Sequence, residues 1–157
     1  MANLLLIIGL LLDGIIFLFT SNSSYFIPLI TVTTIYMVYP LYRKKEKNYT
    51  IVTLVTGLIY DLMYTDLLFF NAIIFYCIGK LSKYFHKNFN QNFIKTIIYM
   101  IIILITYELL TSIILLVYKI VPITYPKIIY KICHSLLMNI IYTIVLYSAF
   151  LKRKQKN

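Results

Sequence analysis

Apolar residues occupy six long runs of this chain, and polar residues collect in the short segments between them. The runs cover residues 4–19, 26–41, 50–64, 67–81, 96–117 and 128–151. An α-helix rises about 1.5 Å per residue, so helices of these lengths approach or exceed the roughly 30 Å hydrocarbon core of a bilayer. The pattern predicts an all-α integral membrane protein, with a single domain over residues 1–157 built as a compact bundle of about six transmembrane helices.

The third and fourth runs are separated only by Thr65 and Asp66, which predicts a tight helical hairpin. With about fifteen residues in each limb, the hairpin would span only roughly 22 Å. Pro28 lies where the second helix should begin, and Pro40 lies where it should end. The segment 82–93 mixes aromatic and basic residues, and we expect it to form a linker at the headgroup interface.

The composition excludes a soluble protein. Hydrophobic residues make up 61% of the chain and charged residues 13%, which is not the balance of a soluble domain. With 4 glycines and 2 cysteines the chain is neither collagen-like nor a disulfide scaffold, and its hydrophobicity excludes a disordered tail. Because the apolar runs use most of the residues, any function must reside in or against the bilayer.

Basic residues lie mainly on one side of the predicted bundle, and this sets its orientation. If the amino terminus is cytoplasmic, 12 of the 15 lysines and arginines face the cytoplasm, and Lys119, Lys127 and Lys131 face outward. The positive-inside rule favours this multi-pass arrangement, with both termini in the cytoplasm. Basic clusters between apolar runs suit an anionic bilayer surface, so no nucleic-acid partner is expected despite the net charge of +10.

Three acidic residues interrupt the apolar runs at a similar depth. Asp13, Asp61 and Glu108 lie on the first, third and fifth runs, nine to twelve residues beyond the start of each. Three polar residues on the inward-running fourth and sixth runs approach the same layer: Asn71, His134 and Asn139. An ionisable group at the centre of a membrane helix costs at least about 2.5 kcal/mol, so each acid marks a candidate site. The sequence therefore predicts an intramembrane polar cluster.

The role of this cluster stays open between three alternatives. Buried acids kept neutral could join helices by donating hydrogen bonds, line an ion or substrate pathway, or meet a buried polar group of a partner. His134 stands beside Cys133, but no second pair of ligands at usable spacing accompanies them. We therefore expect a packed histidine and no metal site.

Known catalytic motifs are absent from the sequence. It contains no His-Glu-x-x-His, no Gly-x-Ser-x-Gly and no glycine-rich phosphate loop. Asp13 and Asp61 are a geometrically possible pair for an intramembrane aspartyl protease, but the residues beside them match no such motif. The sequence also shows no internal repeat of the helical-array type. We expect no enzyme, no catalytic residues and no cofactor.

The segment 57–72 resembles the signature hairpin of the bacterial rod shape-determining protein MreD family. In that family a glycine precedes a membrane aspartate by four residues, as Gly57 precedes Asp61 here. A short turn and a small or polar helix opening follow, and Tyr64-Thr65 and Asn71-Ala72 correspond to them. Phe69 stands where the family usually has a glycine, a departure that weakens the expectation of close backbone packing there.

This resemblance implies a non-catalytic subunit of the cell-elongation machinery in the bacterial cytoplasmic membrane. Its partners would be an MreC-like bitopic membrane protein and the peptidoglycan glycosyltransferase and transpeptidase pair. The family's fold is similar to that of the substrate-binding subunits of energy-coupling-factor transporters. That similarity supplies the alternative function, a small-molecule-binding membrane subunit of such a transporter. The external segment 118–126 is too short to distinguish the transporter subunit from the cell-elongation subunit.

Overall fold

A computed structural model describes residues 2–20, 29–65, 67–89, 92–117 and 125–154, and the side chains of 19–20, 125–132, 134 and 150–154 lie outside the described set. Six α-helices occupy these ranges, and the described residues contain no strand. They are α1 (Ala2–Thr20), α2 (Ile30–Tyr42), α3 (Glu46–Tyr64), α4 (Phe70–Asn88), α5 (Phe93–Val117) and α6 (Tyr125–Lys154). The predicted all-α architecture with six helices is confirmed.

The limbs of the α3–α4 hairpin are longer than their apolar runs. Each has 19 residues, which corresponds to about 28 Å. The expectation of short limbs is therefore wrong, as is that of a separate linker over most of 82–93. The added turns are polar: Lys83 and Lys87 in the last turns of α4 bind Glu46 at the start of α3, and residues this polar fall outside an apolar run although they are helical.

The second helix also continues past the proline expected to end it. Pro40 lies inside α2, which runs to Tyr42. A proline at this position removes the N–H that would bond the carbonyl of Tyr36. His86 of α4 lies 3.1 Å from that carbonyl through Nε2, and it supplies the replacement donor as the Nε2–H tautomer. The predicted helix end is wrong because a neighbouring helix satisfies the group that the proline leaves free.

The centre of the bundle is α2. All ten residues from Ile30 to Tyr39 are buried, and each of the other five helices contacts α2. A helix that is buried on every side belongs in the middle of a bundle rather than at its surface. The other helices surround it, so α2 is where polar groups from different helices meet.

The outer surface of the bundle is apolar. By length and composition, α5 is the one helix of the described chain long and apolar enough to cross a membrane, and shorter apolar helical stretches cover Ala2–Leu18 and Ser135–Ala149. Large apolar side chains point outward, among them Leu11 of α1, Ile51 of α3 and Ile113 of α5, each more than half exposed. A surface of this kind suits contact with lipid or with other helices.

Candidate functional site: a polar layer between the helices

Asp61 caps the first turn of the helix that follows its own. Its Oδ1 accepts hydrogen bonds from the backbone N–H of Asn71 at 2.9 Å and from the Asn71 amide at 2.8 Å. Its Oδ2 accepts from the backbone N–H of Ala72 at 3.2 Å. The hydroxyl of Thr65 also donates to Oδ1, at 3.0 Å. Asp61 therefore satisfies backbone donors at the start of α4 that have no partner within that helix.

Gly57 makes this arrangement possible. A Cβ atom at residue 57 would lie 2.5 Å from the Cα of Ala72 and 2.7 Å from the carbonyl oxygen of Asn71, both backbone atoms. Only glycine lets the start of α4 come this close to α3. Because Asp61 follows one helical turn later on the same face, its carboxylate reaches the exposed N–H groups. The close backbone approach of this hairpin therefore occurs at Gly57, whereas Phe69 is 60% exposed.

Phe69 occupies the N-cap position of α4 with a left-handed backbone, φ 66° and ψ 0°. It is the only residue other than glycine with positive φ in the described chain. Glycine adopts this conformation without the clash between Cβ and backbone that other residues suffer. Glycine would adopt this backbone conformation without strain, which gives a reason for the glycine of the resembled pattern. In this chain Phe69 adopts the conformation at an energetic cost.

Asp13 plays the same role in the first hairpin. Its Oδ1 accepts from the backbone N–H of Ile30 at 2.8 Å, and its Oδ2 accepts from that of Thr31 at 2.9 Å. Both donors lie in the first turn of α2, whose own N-cap residue, Leu29, has no capping side chain. Gly9 lies four residues before Asp13, and a Cβ atom there would lie 2.8 Å from the Thr34 hydroxyl.

The α1–α2 and α3–α4 hairpins are therefore built by one repeated device. In each, a glycine allows close approach and an aspartate one turn later caps the next helix. The two hairpins are joined where the Tyr64 hydroxyl of α3 donates to the carbonyl of Leu10 at 2.7 Å. Sequence reasoning recognised only the second copy, although Gly9-x-x-x-Asp13 and Gly57-x-x-x-Asp61 show the same spacing.

Both aspartates accept hydrogen bonds across helices, whereas the first of the three alternatives had buried acids donating them. The hydrogen bonds to the two carboxylates described above all come from N–H or O–H donors, and both oxygens of each carboxylate accept. The start of an α-helix also carries the positive end of the helix dipole. This environment suits a carboxylate that accepts hydrogen bonds from N–H donors.

A hydrogen-bonded chain extends from Asp61 to the fifth helix. The Asn71 amide donates to Asp61, and its carbonyl oxygen accepts from the Tyr107 hydroxyl at 2.9 Å. Glu108, the neighbour of Tyr107, is also buried. Asn71 thus links Asp61 of α3 to Tyr107 of α5. We refer to these groups, together with the buried Asp13, Glu108 and Asn139, as the polar layer.

Asn139 forms a second polar contact, between α2 and α6. Its Oδ1 accepts from the Thr33 hydroxyl at 2.6 Å, and its Nδ2 donates to the carbonyl of Ser135 at 2.8 Å. Nearby, Thr34 and Tyr142 hydrogen-bond to each other at 3.0 Å. No contact of Asn139 with the acids is among the described interactions. The side chain of His134 lies outside the described residues.

The opposite end of the α3–α4 hairpin carries charged and aromatic groups that the apolar runs did not reveal. Glu46 pairs with Lys83 and Lys87, each at 2.6 Å, and these bonds hold its pKa down at about 2. His86 packs between the rings of Tyr36 and Tyr39, with centroids 4.7 and 5.2 Å away. It lies beyond the predicted span 67–81, and burial lowers its pKa to about 4.

These contacts are architectural in their chemistry. Asp13 and Asp61 accept hydrogen bonds from the starts of α2 and α4. Asn71 bridges α3 and α5, and Asn139 accepts from Thr33 of α2 while its amide donates within α6. Within the described residues, no group of three or more histidines, cysteines, aspartates or glutamates is placed to hold a metal ion. Through these contacts the polar layer links α1 to α2, α3 to α4 and α5, and α2 to α6.

Comparison with known proteins places the chain in a family. The family model for rod shape-determining protein MreD matches residues 1–156. The chain belongs to this bacterial membrane protein family, which is a shape-determining family and not a known enzyme family, and membership implies a role in determining rod shape. No curated protein matches the chain, and no solved structure matches it. Similarity to energy-coupling-factor subunits therefore stays a prediction.

Proposed function

We propose that this chain is a non-catalytic helical scaffold of the cell-elongation machinery, which binds an MreC-like bitopic membrane protein and so supports the peptidoglycan glycosyltransferase and transpeptidase. The observation that carries the proposal is the family match over residues 1–156. The polar layer adds to it, because the aspartates and asparagines there are engaged in holding helices together. A scaffold of this kind acts through its outer helix faces and short loops.

The proposed topology has six membrane spans with both termini in the cytoplasm. Support comes from the distribution of charge on the hairpin: Glu46, Lys83 and Lys87 cluster at one end, and the apolar turn at Leu67, Leu68 and Phe69 lies at the other. The basic end faces the cytoplasm under the positive-inside rule. In this orientation α1, α3 and α5 run outward, and the capping aspartates lie toward the outer ends of α1 and α3.

The proposed binding surface for the single-span partner is the outer face of α1. Within the described residues, α1 contacts α2 and α3 but none of the other helices, so it lies at the edge of the bundle. Leu4, Ile7, Leu11 and Ile15 recur at helical spacing along this face, each about half exposed. Two apolar helices can pack side by side in a bilayer without any polar contact.

Cell shape in a rod-shaped host tests the proposal. Depletion of the protein should round the cells, and the wild-type gene should restore rods. Leu11→Trp, which places bulk on the outer face of α1, should fail to restore them. Ile113→Trp on the exposed face of α5 is the matched control and should restore them. Full rescue by Leu11→Trp, with both variants equally abundant in membranes, would contradict α1 as the binding surface.

A further inference from the structure

The turn between α2 and α3 forms a hollow on the basic end of the bundle. Its volume is about 610 Å³, and it is lined by Arg43, Lys44, Lys45, Glu46, Lys47 and Asn48. The hollow is shallow and wide open, so it can receive a group at the surface of the protein but does not enclose a small molecule. Four of the six lining residues are cations, so the ligand that suits this hollow is an anion.

The single acid of the hollow does not neutralise those cations. Glu46 is bound on both oxygens by Lys83 and Lys87, which come from α4 and lie outside the hollow. Among the described residues, Arg43, Lys44, Lys45 and Lys47 have no acidic partner, because Asp13, Asp61 and Glu108 are buried between helices. Because Lys83 and Lys87 bind Glu46, the four cations of the loop remain available to a ligand.

We propose that this hollow binds the phosphate headgroup of an anionic phospholipid in the adjacent leaflet. Guanidinium and ammonium groups donate charge-assisted hydrogen bonds to phosphate oxygens, and an arginine can donate two in parallel. Clusters of four or more basic residues next to a membrane helix are typical of anionic lipid contacts. The hollow lies between the end of α2 and the start of α3, at the depth where headgroups would be.

An apolar strip beside the hollow favours a lipid over a soluble anion or an acidic peptide. Lys47 lines the hollow, and Ile51 and Val55 follow it at successive turns of the same face of α3. Both apolar side chains are exposed, Ile51 by 61% and Val55 by 44%. A phospholipid seated with its phosphate in the hollow could lay an acyl chain along this strip. Neither a free phosphate nor a peptide carboxylate would use it.

Native mass spectrometry of the full-length protein, released from neutral detergent micelles, tests the proposal. Titrations would use phosphatidylglycerol, phosphatidylcholine and inorganic phosphate as separate probes. The variant Lys44→Gln with Lys45→Gln should weaken phosphatidylglycerol binding about 5-fold per charge, and so roughly 25-fold in all. Lys80→Gln with Lys95→Gln removes the same charge from exposed positions outside the hollow and should leave binding within about 2-fold of wild type.

Three results would overturn the proposal. Equal losses in the two double variants would mean diffuse attraction to the basic surface, without a site. If phosphatidylcholine bound as tightly as phosphatidylglycerol, the hollow would not distinguish an anionic headgroup from one with no net charge. Displacement of the lipid by equimolar inorganic phosphate, or by a glutamate-rich peptide, would assign the hollow to a soluble anion or a protein. A far-ultraviolet circular dichroism spectrum matching wild type shows that each variant is folded, so a lack of effect counts against the site.

Discussion

At the scale of single residues, the acceptor role of Asp61 changes what substitution should do. In the wild-type protein both carboxylate oxygens of Asp61 accept hydrogen bonds. In Asp61→Asn an N–H₂ group would replace one of these oxygens and would face the N–H donors of Asn71 or Ala72. We expect Asp61→Asn to lose about 1–3 kcal/mol of stability, the cost of a buried donor left unpaired. Asp61→Leu removes every acceptor and should lose more. Thermal unfolding of the purified protein in detergent measures both.

Glu46→Gln is the acid-to-amide control for Asp61, because Glu46 lies at the surface and its lysine partners are solvated. Its unfolding temperature should change little. If Asp61→Asn unfolds at the wild-type temperature, the second carboxylate oxygen is not needed as an acceptor. That result would contradict the capping geometry.

Phe69 is a position where substitution should stabilise the protein. Its left-handed backbone costs roughly 1–2 kcal/mol for a residue with a Cβ atom. Glycine relieves that cost but loses about 0.4–1 kcal/mol through its more flexible unfolded chain. Phe69→Gly should therefore raise the unfolding temperature modestly. Phe70→Gly, one residue later inside α4, should lower it. A lower unfolding temperature for Phe69→Gly would show that the phenyl contacts outweigh the strain.

His86 should make stability depend on pH. Its pKa is about 4 in the folded protein, against 6.5 for a histidine in water, so the unfolded chain binds the proton more readily. Its stabilising contribution is therefore complete above about pH 6.5 and is lost as the pH falls toward 4. His86→Phe keeps a ring beside Tyr36 and Tyr39 but neither donates nor titrates. Unfolding temperatures measured from pH 7 to pH 4 should fall more steeply for wild type than for this variant. Parallel curves would contradict the assignment.

At the scale of helices, the two glycine–aspartate hairpins predict a rank order. A Cβ atom at Gly57 meets backbone of α4, which cannot move without shifting the helix, whereas at Gly9 it meets the movable hydroxyl of Thr34. Gly57→Ala should therefore cost about 1–3 kcal/mol, as overpacking does, and Gly9→Ala less. Denaturation of the two variants in one detergent gives the comparison. A larger loss for Gly9→Ala would contradict the close backbone approach at Gly57.

The helices themselves were largely predictable from sequence, and their ends were not. Apolar runs locate helices because only helices satisfy the backbone of such segments inside a bilayer. The end at Pro40 was wrong because the compensating donor, His86, is 46 residues away in the chain. The shared depth of the three acids stays a prediction, whereas the burial of all three agrees with a polar cluster between helices. Their partners could not, because Asp13 and Asp61 bind backbone N–H groups, which no residue type reveals.

At the scale of the whole molecule, the buried polar groups and the outer surface have separate roles. Asp13 and Asp61 set the angle between consecutive helices, Asn71 and Asn139 tie those hairpins to α5 and α6, and α2 lies at the centre of them all. A bundle held in this way keeps its outer faces in fixed positions. Under the function proposed above, these faces are where a membrane partner would bind.

Affinity purification of the tagged protein from native membranes tests this account most directly, with partner proteins and bound small molecules quantified in parallel. The account predicts an MreC-like bitopic protein and the wall-synthesis enzymes in near-stoichiometric amounts, absent from untagged membranes, and no small molecule at that level. A stoichiometric vitamin together with transporter ATPases, and no wall-synthesis protein, would contradict the account and assign the chain to a transporter.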